Sequence, residues 1–302
     1  MDPELIAKIA QVASVLEVSG HPKPGNVHRT QDFDDMIFED FLISGVVIGD
    51  LMKKAAERGS RYSRDDSLHE IRVGEIIKEA VIETDKWIGN NTNLGIVLML
   101  TPLCASAGMS CNINDLRKNV GRIMEATTSQ DALNFYDAIN IADAGGMGEQ
   151  EDLDVADAEA REKILEENIN MYKVLQMSSK WDSLSYELTN RMPITFGIGF
   201  PTFRTVKMEY GVINKATVQT FLTILSKKPD TLISRKYGDD MAKLVSADAD
   251  SILQSGGILN PQGELLLREF DKQLLRNKLN PGTTADITAA SIMVAYLDEF
   301  VF

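Results

Sequence analysis

The chain has 302 residues, enough to bury a sizeable core, and its 45 Asp and Glu against 31 Lys and Arg give a net charge of −14. That acidity excludes a duplex-binding surface, which needs a basic footprint, so nucleic acid is not an expected partner; an anionic substrate needs local cations or a divalent metal to overcome the global repulsion. With 44% hydrophobic and 25% charged residues and no low-complexity segment, the chain reads as one soluble domain, residues 1–302.

Met1-Asp2-Pro3-Glu4 lacks the basic region and apolar core of a signal peptide. Cys104 and Cys111 have neither Cys-x-x-Cys spacing nor a paired histidine motif, so a reducing cytoplasmic setting is expected and no disulfide framework. From Pro3 to Val18, Leu5, Ile9, Val12 and Leu16 recur at helical spacing and predict an amphipathic entry helix. It leads into Pro22-Lys23-Pro24-Gly25-Asn26-Val27-His28-Arg29, where two prolines exclude a helix and Gly25 permits a turn or close backbone approach. Lys23, His28 and Arg29 supply three cations suited to phosphate oxygens, with no obvious internal partner. The bland alternative is a connection carrying a few solvated basic residues.

Asp32, Asp34 and Asp35 then precede a second predicted helix running from Met36 to about Arg58, whose first turn they can cap. Leu68 to Trp87 predicts another helix. Asn90-Asn91-Thr92-Asn93 can cap the next one or contact an anion at its N-terminus. No charge occurs between Lys86 and Asp115, yet the apolar part, Ile96 to Leu103, is far shorter than the roughly 20 residues a bilayer requires, which favours a buried helix over a membrane span.

Asn112 to Thr127 and Gln130 to Ala144 predict two more helices, ended by Gly145-Gly146-Met147-Gly148. Asn134, Asp137 and Asn140 share a polar face on the second of these, either solvated or lining a cavity. Glu149 to Asn168 reads as an exposed acidic turn and helix. Pro193 to Pro201 reads as an interhelix loop, because its Gly197-Ile198-Gly199 lacks a dinucleotide fingerprint. Helical patterns at Thr217–Leu225, Asp239–Ser255 and Glu264–Leu275 precede a last helix starting near Pro281, with Asp286 three residues after Thr283. Strand alternation is scarce, so the fold class expected is all-α, a multi-helix domain with a central polar nucleotide pocket.

Pro22 to Arg29 with Asp35-Met36, Asn91 to Gly95, the helix into Gly145 to Gly148, and Leu279 to Asp286 together resemble the triphosphoribosyl-dephospho-coenzyme A synthase family. That resemblance implies a transferase that moves the triphosphoribosyl group of ATP to 3′-dephospho-coenzyme A and releases adenine, in the synthesis of a prosthetic-group precursor. Carried onto this sequence, it implies Lys23 and Arg29 as phosphate contacts and Asp35 as a magnesium ligand; Gly25 and Asn26 in the same loop, and Asn91 and Asn93 before Leu94, are read beside them as substrate contacts, and Asp34 and Asp40 as further magnesium ligands. Asp137 or Asp286 would be the catalytic base, and His28 a proton donor or another phosphate contact. The expected partners are small-molecule nucleotide substrates; a homo-oligomer is compatible with the sequence but not specified by it.

The chain has Phe33-Asp34-Asp35-Met36 where the bacterial pattern has His-x-Asp-Met, and Asn91-Thr92-Asn93-Leu94-Gly95 where it has Asn-Thr-His-Lys-Gly. The loss of one histidine and a His-Lys pair marks a divergent branch. Action on another nucleotide or cofactor precursor, or non-catalytic nucleotide binding, is the alternative.

Overall fold

A computed structural model describes residues 1–90, 92–142 and 158–302. Among them there is no strand, only an isolated antiparallel bridge between His28 and Gln31, and the all-α expectation holds. The described residues group into two compact units, one of Met1–Val12, Ile43–Met192 and Tyr296–Phe302, the other of Ala13–Leu42 and Pro193–Ala295.

Helix α1, Pro3–Ser19, buries Ile6, Ile9, Ala10 and Ala13, while Val12 is 40% exposed; the buried stripe is rotated by about one residue from the predicted one. The predicted single helix from Met36 to Arg58 is two, α2 (Phe38–Val47) and α3 (Gly49–Arg61). Where α2 ends, the Gln11 side-chain amide donates to the Val46 carbonyl at 2.7 Å, satisfying an oxygen of the last turn from outside the helix. The start of α2 is capped by Asp32, whose carboxylate accepts the Phe38 N–H at 2.8 Å, and by Asp40, which accepts the Ile37 N–H at 3.1 Å.

In the first unit, a 3-10 turn at Leu68–Ile71 precedes α4, Val73–Ile88; Arg72 between them has φ +54°. Helix α5, Leu94–Met109, is the uncharged stretch, and Ile96 to Gly108 are buried. Small residues let α3 lie directly on it: a Cβ on Gly59 would meet the Ala105 carbonyl oxygen at 1.9 Å, and one on Gly108 would meet that of Ala56 at 2.2 Å. Four helices follow, α6 (Ile113–Glu125), α7 (Ser129–Ile141), α8 (Ala158–Glu166) and α9 (Met171–Ser178), then α10 (Ser183–Thr189). Among the described residues no single helix is long and apolar enough to cross a membrane; α5 and α6 pass that test only as a pair bent by 119°. A cavity of about 380 Å³ in this unit is lined by Glu4, Lys8, Gln11, Lys53 and Trp87 among others, and by none of the predicted site residues. The central polar nucleotide pocket expected from sequence therefore stays a proposal.

In the second unit, the predicted loop at Pro193 to Pro201 is helical. Thr195–Gly199 forms a π turn that runs into α11, Phe200–Tyr210. Pro201 stands at the start of that helix directly after the π turn, and Gly199 is demanded by packing, since a Cβ there would meet the Ser291 hydroxyl at 1.9 Å. Helices α12 (Ile213–Lys227), α13 (Thr231–Tyr237), α14 (Asp239–Gln254), α15 (Pro261–Arg276) and α16 (Gly282–Phe300) complete the fold. Val218, Phe221, Leu222, Leu225, Val245, Leu267, Phe270 and Leu274 form their shared core.

Candidate functional site

The loop after α1 is built by contacts within the second unit. Gly25 takes φ +68°, and a Cβ there would meet the Leu279 carbonyl oxygen at 2.3 Å and Leu274 Cβ at 2.7 Å, so both its conformation and its space require glycine. Its N–H donates to Asp271 Oδ1 at 3.0 Å. The other oxygen of Asp271, on α15, accepts from His28 Nε2 at 3.0 Å, so one carboxylate fixes two points of the loop. Asn26 donates to Asn280 Oδ1 at 2.8 Å, tying the loop to the segment that enters α16.

The loop cations were expected to lack internal partners, and the structure overturns this. Lys23 is 0% exposed, and its ammonium is hydrogen-bonded to the Glu17 carboxylate and to the Glu17 carbonyl at 3.2 Å. Burial pushes Lys23 down and Glu17 up from their ordinary values, against the attraction between them; Asp286 and Asp271 also favour the charged lysine. Asp286, predicted to share the site, is therefore within electrostatic reach of Lys23. Arg29 is exposed, and donates from Nε to the Ser19 carbonyl at 2.7 Å and from Nη2 to Asn214 Oδ1 at 3.1 Å, closing the C-terminus of α1.

His28 is 1% exposed; its Nδ1 lies 3.3 Å from Thr30 Oγ1 and 3.3 Å from His21 Nδ1. His21 sits nearer the surface, 2.9 Å from Thr30 Oγ1 and 3.2 Å from Arg268 Nη1. Burial first, then the charges of His28, Arg268 and Arg29, hold its pKa below the ordinary histidine value, with Asp271 opposing.

The remaining predicted residues belong to the first unit or to the approach to α2. Asn91 lies outside the described residues, as do Gly145 to Gly148. Asn93 is 3% exposed and uses its amide internally, donating to Thr84 Oγ1 at 2.9 Å; it does not cap α5 with its side chain. Asp137 on α7 accepts from Lys78 at 2.7 Å and Arg161 at 2.8 Å. The cations that α7 itself lacks thus come from α4 and α8. Asp34 and Asp35 are exposed, and Asp40 spends one oxygen on the Ile37 N–H. Among the described residues no three His, Cys, Asp or Glu side chains converge on a metal position. These carboxylates do not form a ready-made metal cage; they suit at most the one or two ligands that a phosphate-borne magnesium takes from protein.

The family model for ATP:dephospho-CoA triphosphoribosyl transferase matches residues 3–301. The chain belongs to that family. It is 24% identical over 298 residues to a protein of Citrobacter koseri named as a 2-(5′′-triphosphoribosyl)-3′-dephosphocoenzyme-A synthase, covering 97% of this chain and 90% of the relative. A crystal structure from Archaeoglobus fulgidus, titled as a triphosphoribosyl-dephospho-CoA synthase, superposes with a TM-score of 0.67 at 23% identity, covering 85% of this chain and 98% of the other, which shows a common fold.

In this transferase-family chain, sequence reading missed Glu17, His21, Asp271 and Asn280. Glu17 carried a signal, because it extends the buried stripe Ile6, Ala10, Ala13 by helical spacing and so places a carboxylate on an apolar face. Asp271 carried none: it lies in an exposed-looking run of α15, and its partners are more than 240 residues away in the chain.

Proposed function

We propose that the chain transfers the triphosphoribosyl group of ATP to 3′-dephospho-coenzyme A and releases adenine, the reaction for which its family is named. The family match over residues 3–301 carries this reading, and it also supports treating the chain as one functional domain. Chemically, the C1′–N9 bond of ATP breaks, a C1′–O bond to the acceptor hydroxyl forms, and the acceptor's proton is matched by one taken up by the departing adenine. Substitution at C1′ passes through an oxocarbenium-like state, which a carboxylate stabilises. Asp286, at the start of α16 and electrostatically coupled to Lys23, is the carboxylate we assign to it.

Arg29 and Arg268, on the rim of the loop, are the cations we assign to phosphate oxygens, since Lys23 is turned inward onto Glu17. Gly25 and Asn26 shape the floor beneath them. Asp35, with Asp34, is assigned to magnesium carried mainly by the triphosphate, whose charge the metal offsets. Asp137 is the weaker candidate for the carboxylate role given to Asp286, because both its oxygens already face cations. Two unpaired cysteines, one buried and one exposed, fit a reducing compartment such as the cytoplasm.

Incubating the protein with magnesium, ATP and 3′-dephospho-coenzyme A should yield free adenine and the coupled product in equal amounts by mass spectrometry. Adenine released only with another acceptor supports the divergent-substrate alternative, which the replacements at Asn93 and Leu94 favour. Tight ATP binding with no adenine for any acceptor refutes the enzyme reading.

A further inference from the structure

The hydrogen bonds around His21 and His28 fix which nitrogen carries the proton in each neutral ring. A guanidinium only donates, so the contact from Arg268 Nη1 at 3.2 Å makes His21 Nε2 an acceptor and leaves the proton of neutral His21 on Nδ1. That Nδ1–H donates to Thr30 Oγ1, the shorter contact at 2.9 Å, and also faces His28 Nδ1 at 3.3 Å, so both routes lead to the same nitrogen of His28. The Thr30 hydroxyl is then free to donate onward to His28 Nδ1 at 3.3 Å, where the Thr30 backbone N–H also points, at 3.4 Å. His28 Nδ1 is therefore an acceptor, and its proton sits on Nε2, donated to Asp271 Oδ2 at 3.0 Å. The tight turn that makes this possible is the mutual backbone pair of His28 and Gln31, which brings Thr30 back to His28 Nδ1.

We infer that His21 is the catalytic acid and base of this site, and that Thr30, His28 and Asp271 are positioning residues forming a proton relay behind it. The inference rests on the transferase reading above. His28 is buried and its two nitrogens are engaged, whereas His21 is the relay's outer member. Its Nε2 meets substrate once Arg268, whose side chain is 43% exposed and also holds Glu264, turns to a phosphate. When His21 Nε2 takes the proton of the acceptor hydroxyl, its Nδ1 proton passes to Thr30 and that of Thr30 to His28. The positive charge then rests on His28 against the Asp271 carboxylate. The reverse shift returns a proton from His21 Nε2 to the departing adenine, so the relay ends as it began. The charged groups facing His21 are His28, Arg268, Arg29 and Asp271. Of these only Asp271 favours protonated His21, which gives it a defined effect.

Three histidines in the chain make the test clean, with the exposed His69 as an internal reference. Long-range proton–nitrogen NMR should find His28 as the Nε2–H tautomer and neutral His21 as Nδ1–H. In Asp271→Asn, His28 should change tautomer, and the acid limb of the rate profile should move to lower pH because protonated His21 has lost the one nearby charge that favours it. His21→Ala should lower kcat for adenine release by roughly 10²- to 10⁴-fold with KM for ATP little changed, and added imidazole should restore part of the rate. Wild-type kcat in His21→Ala, a loss that imidazole does not restore, or an Nδ1–H tautomer at His28 in the wild type each overturns the inference. If the wild type makes no adenine at all, the transferase reading fails instead, and the tautomers still decide whether the relay exists.

Discussion

Lys23 and Glu17 face each other with 0% and 2% of their side chains exposed, so neither charge has water to solvate it if the other is removed. Breaking such a pair strands a buried ion, whereas replacing both partners with apolar groups does not. Lys23→Met should therefore cost about 3–5 kcal/mol in urea unfolding, and Glu17→Leu combined with Lys23→Met should recover most of it. An additive double variant would show that the two groups do not interact. Arg29 joins the α1 C-terminus to Asn214, so Arg29→Ala should weaken nucleotide binding about tenfold and also cost about 1 kcal/mol of stability, measured by titration and by unfolding of the empty protein. Stability equal to wild type would mean the contacts to Ser19 and Asn214 are idle. At Asp137, burial raises the carboxyl pKa, but the hydrogen bonds and charges of Lys78 and Arg161 outweigh it and hold the value below the ordinary 3.8. A depressed folded-state pKa gives stability that is full above the unfolded value and lost as pH falls through the folded one. Asp137→Asn should thus be less stable than wild type near neutral pH, and the gap should close below about pH 4. A gap that persists in acid would point to packing instead.

At the scale of elements, Asp230 joins two helices that the sequence shows as unrelated. One oxygen accepts the Leu232 and Ile233 N–H groups at 2.9 and 3.2 Å, capping α13, and the other accepts the Thr284 N–H and hydroxyl, both at 2.7 Å, in the first turn of α16. Burial pushes this carboxyl up while those four bonds pull it down. Asp230→Ala removes two caps at once and leaves buried donors orphaned, so a loss of roughly 2–4 kcal/mol is expected, against about 1 kcal/mol for an ordinary cap. Since Asp286 is two residues beyond Thr284, the folded fraction of this variant should also turn over more slowly. A cost within 0.5 kcal/mol, as at a plain surface position, would rule out the shared cap.

For the whole molecule, charge decides how a polyphosphate binds. A chain of net charge −14 repels ATP at long range, so the proposed binding relies on the rim arginines and on the magnesium proposed to accompany the triphosphate. ATP at about 100-fold over its Kd should stabilise the protein by about 2.7 kcal/mol, and most of that gain should require magnesium. Asp35→Asn should reduce the magnesium-dependent part in a thermal-shift titration. Stabilisation indifferent to both magnesium and this substitution would remove Asp35 from the nucleotide site.

Composition and helical periodicity by themselves determined that this chain is all-α, that α5 is a buried helix and that Pro22 to Arg29 interrupts the helices, because these follow from local sterics and from how much apolar surface a segment carries. The motif residues likewise placed the chain in its family. Tertiary structure alone decided that α2 and α3 part where Gln11 takes the Val46 carbonyl, and that Pro193 to Pro201 stays helical against α16. It also decided which loop residues are available: Lys23 turns inward onto Glu17, while Asp271 orders Gly25 and His28 from across the chain. Sequence lists donors and acceptors, but a buried group's partner is chosen by which distant element folding brings within 3 Å, and that distance has no local signature.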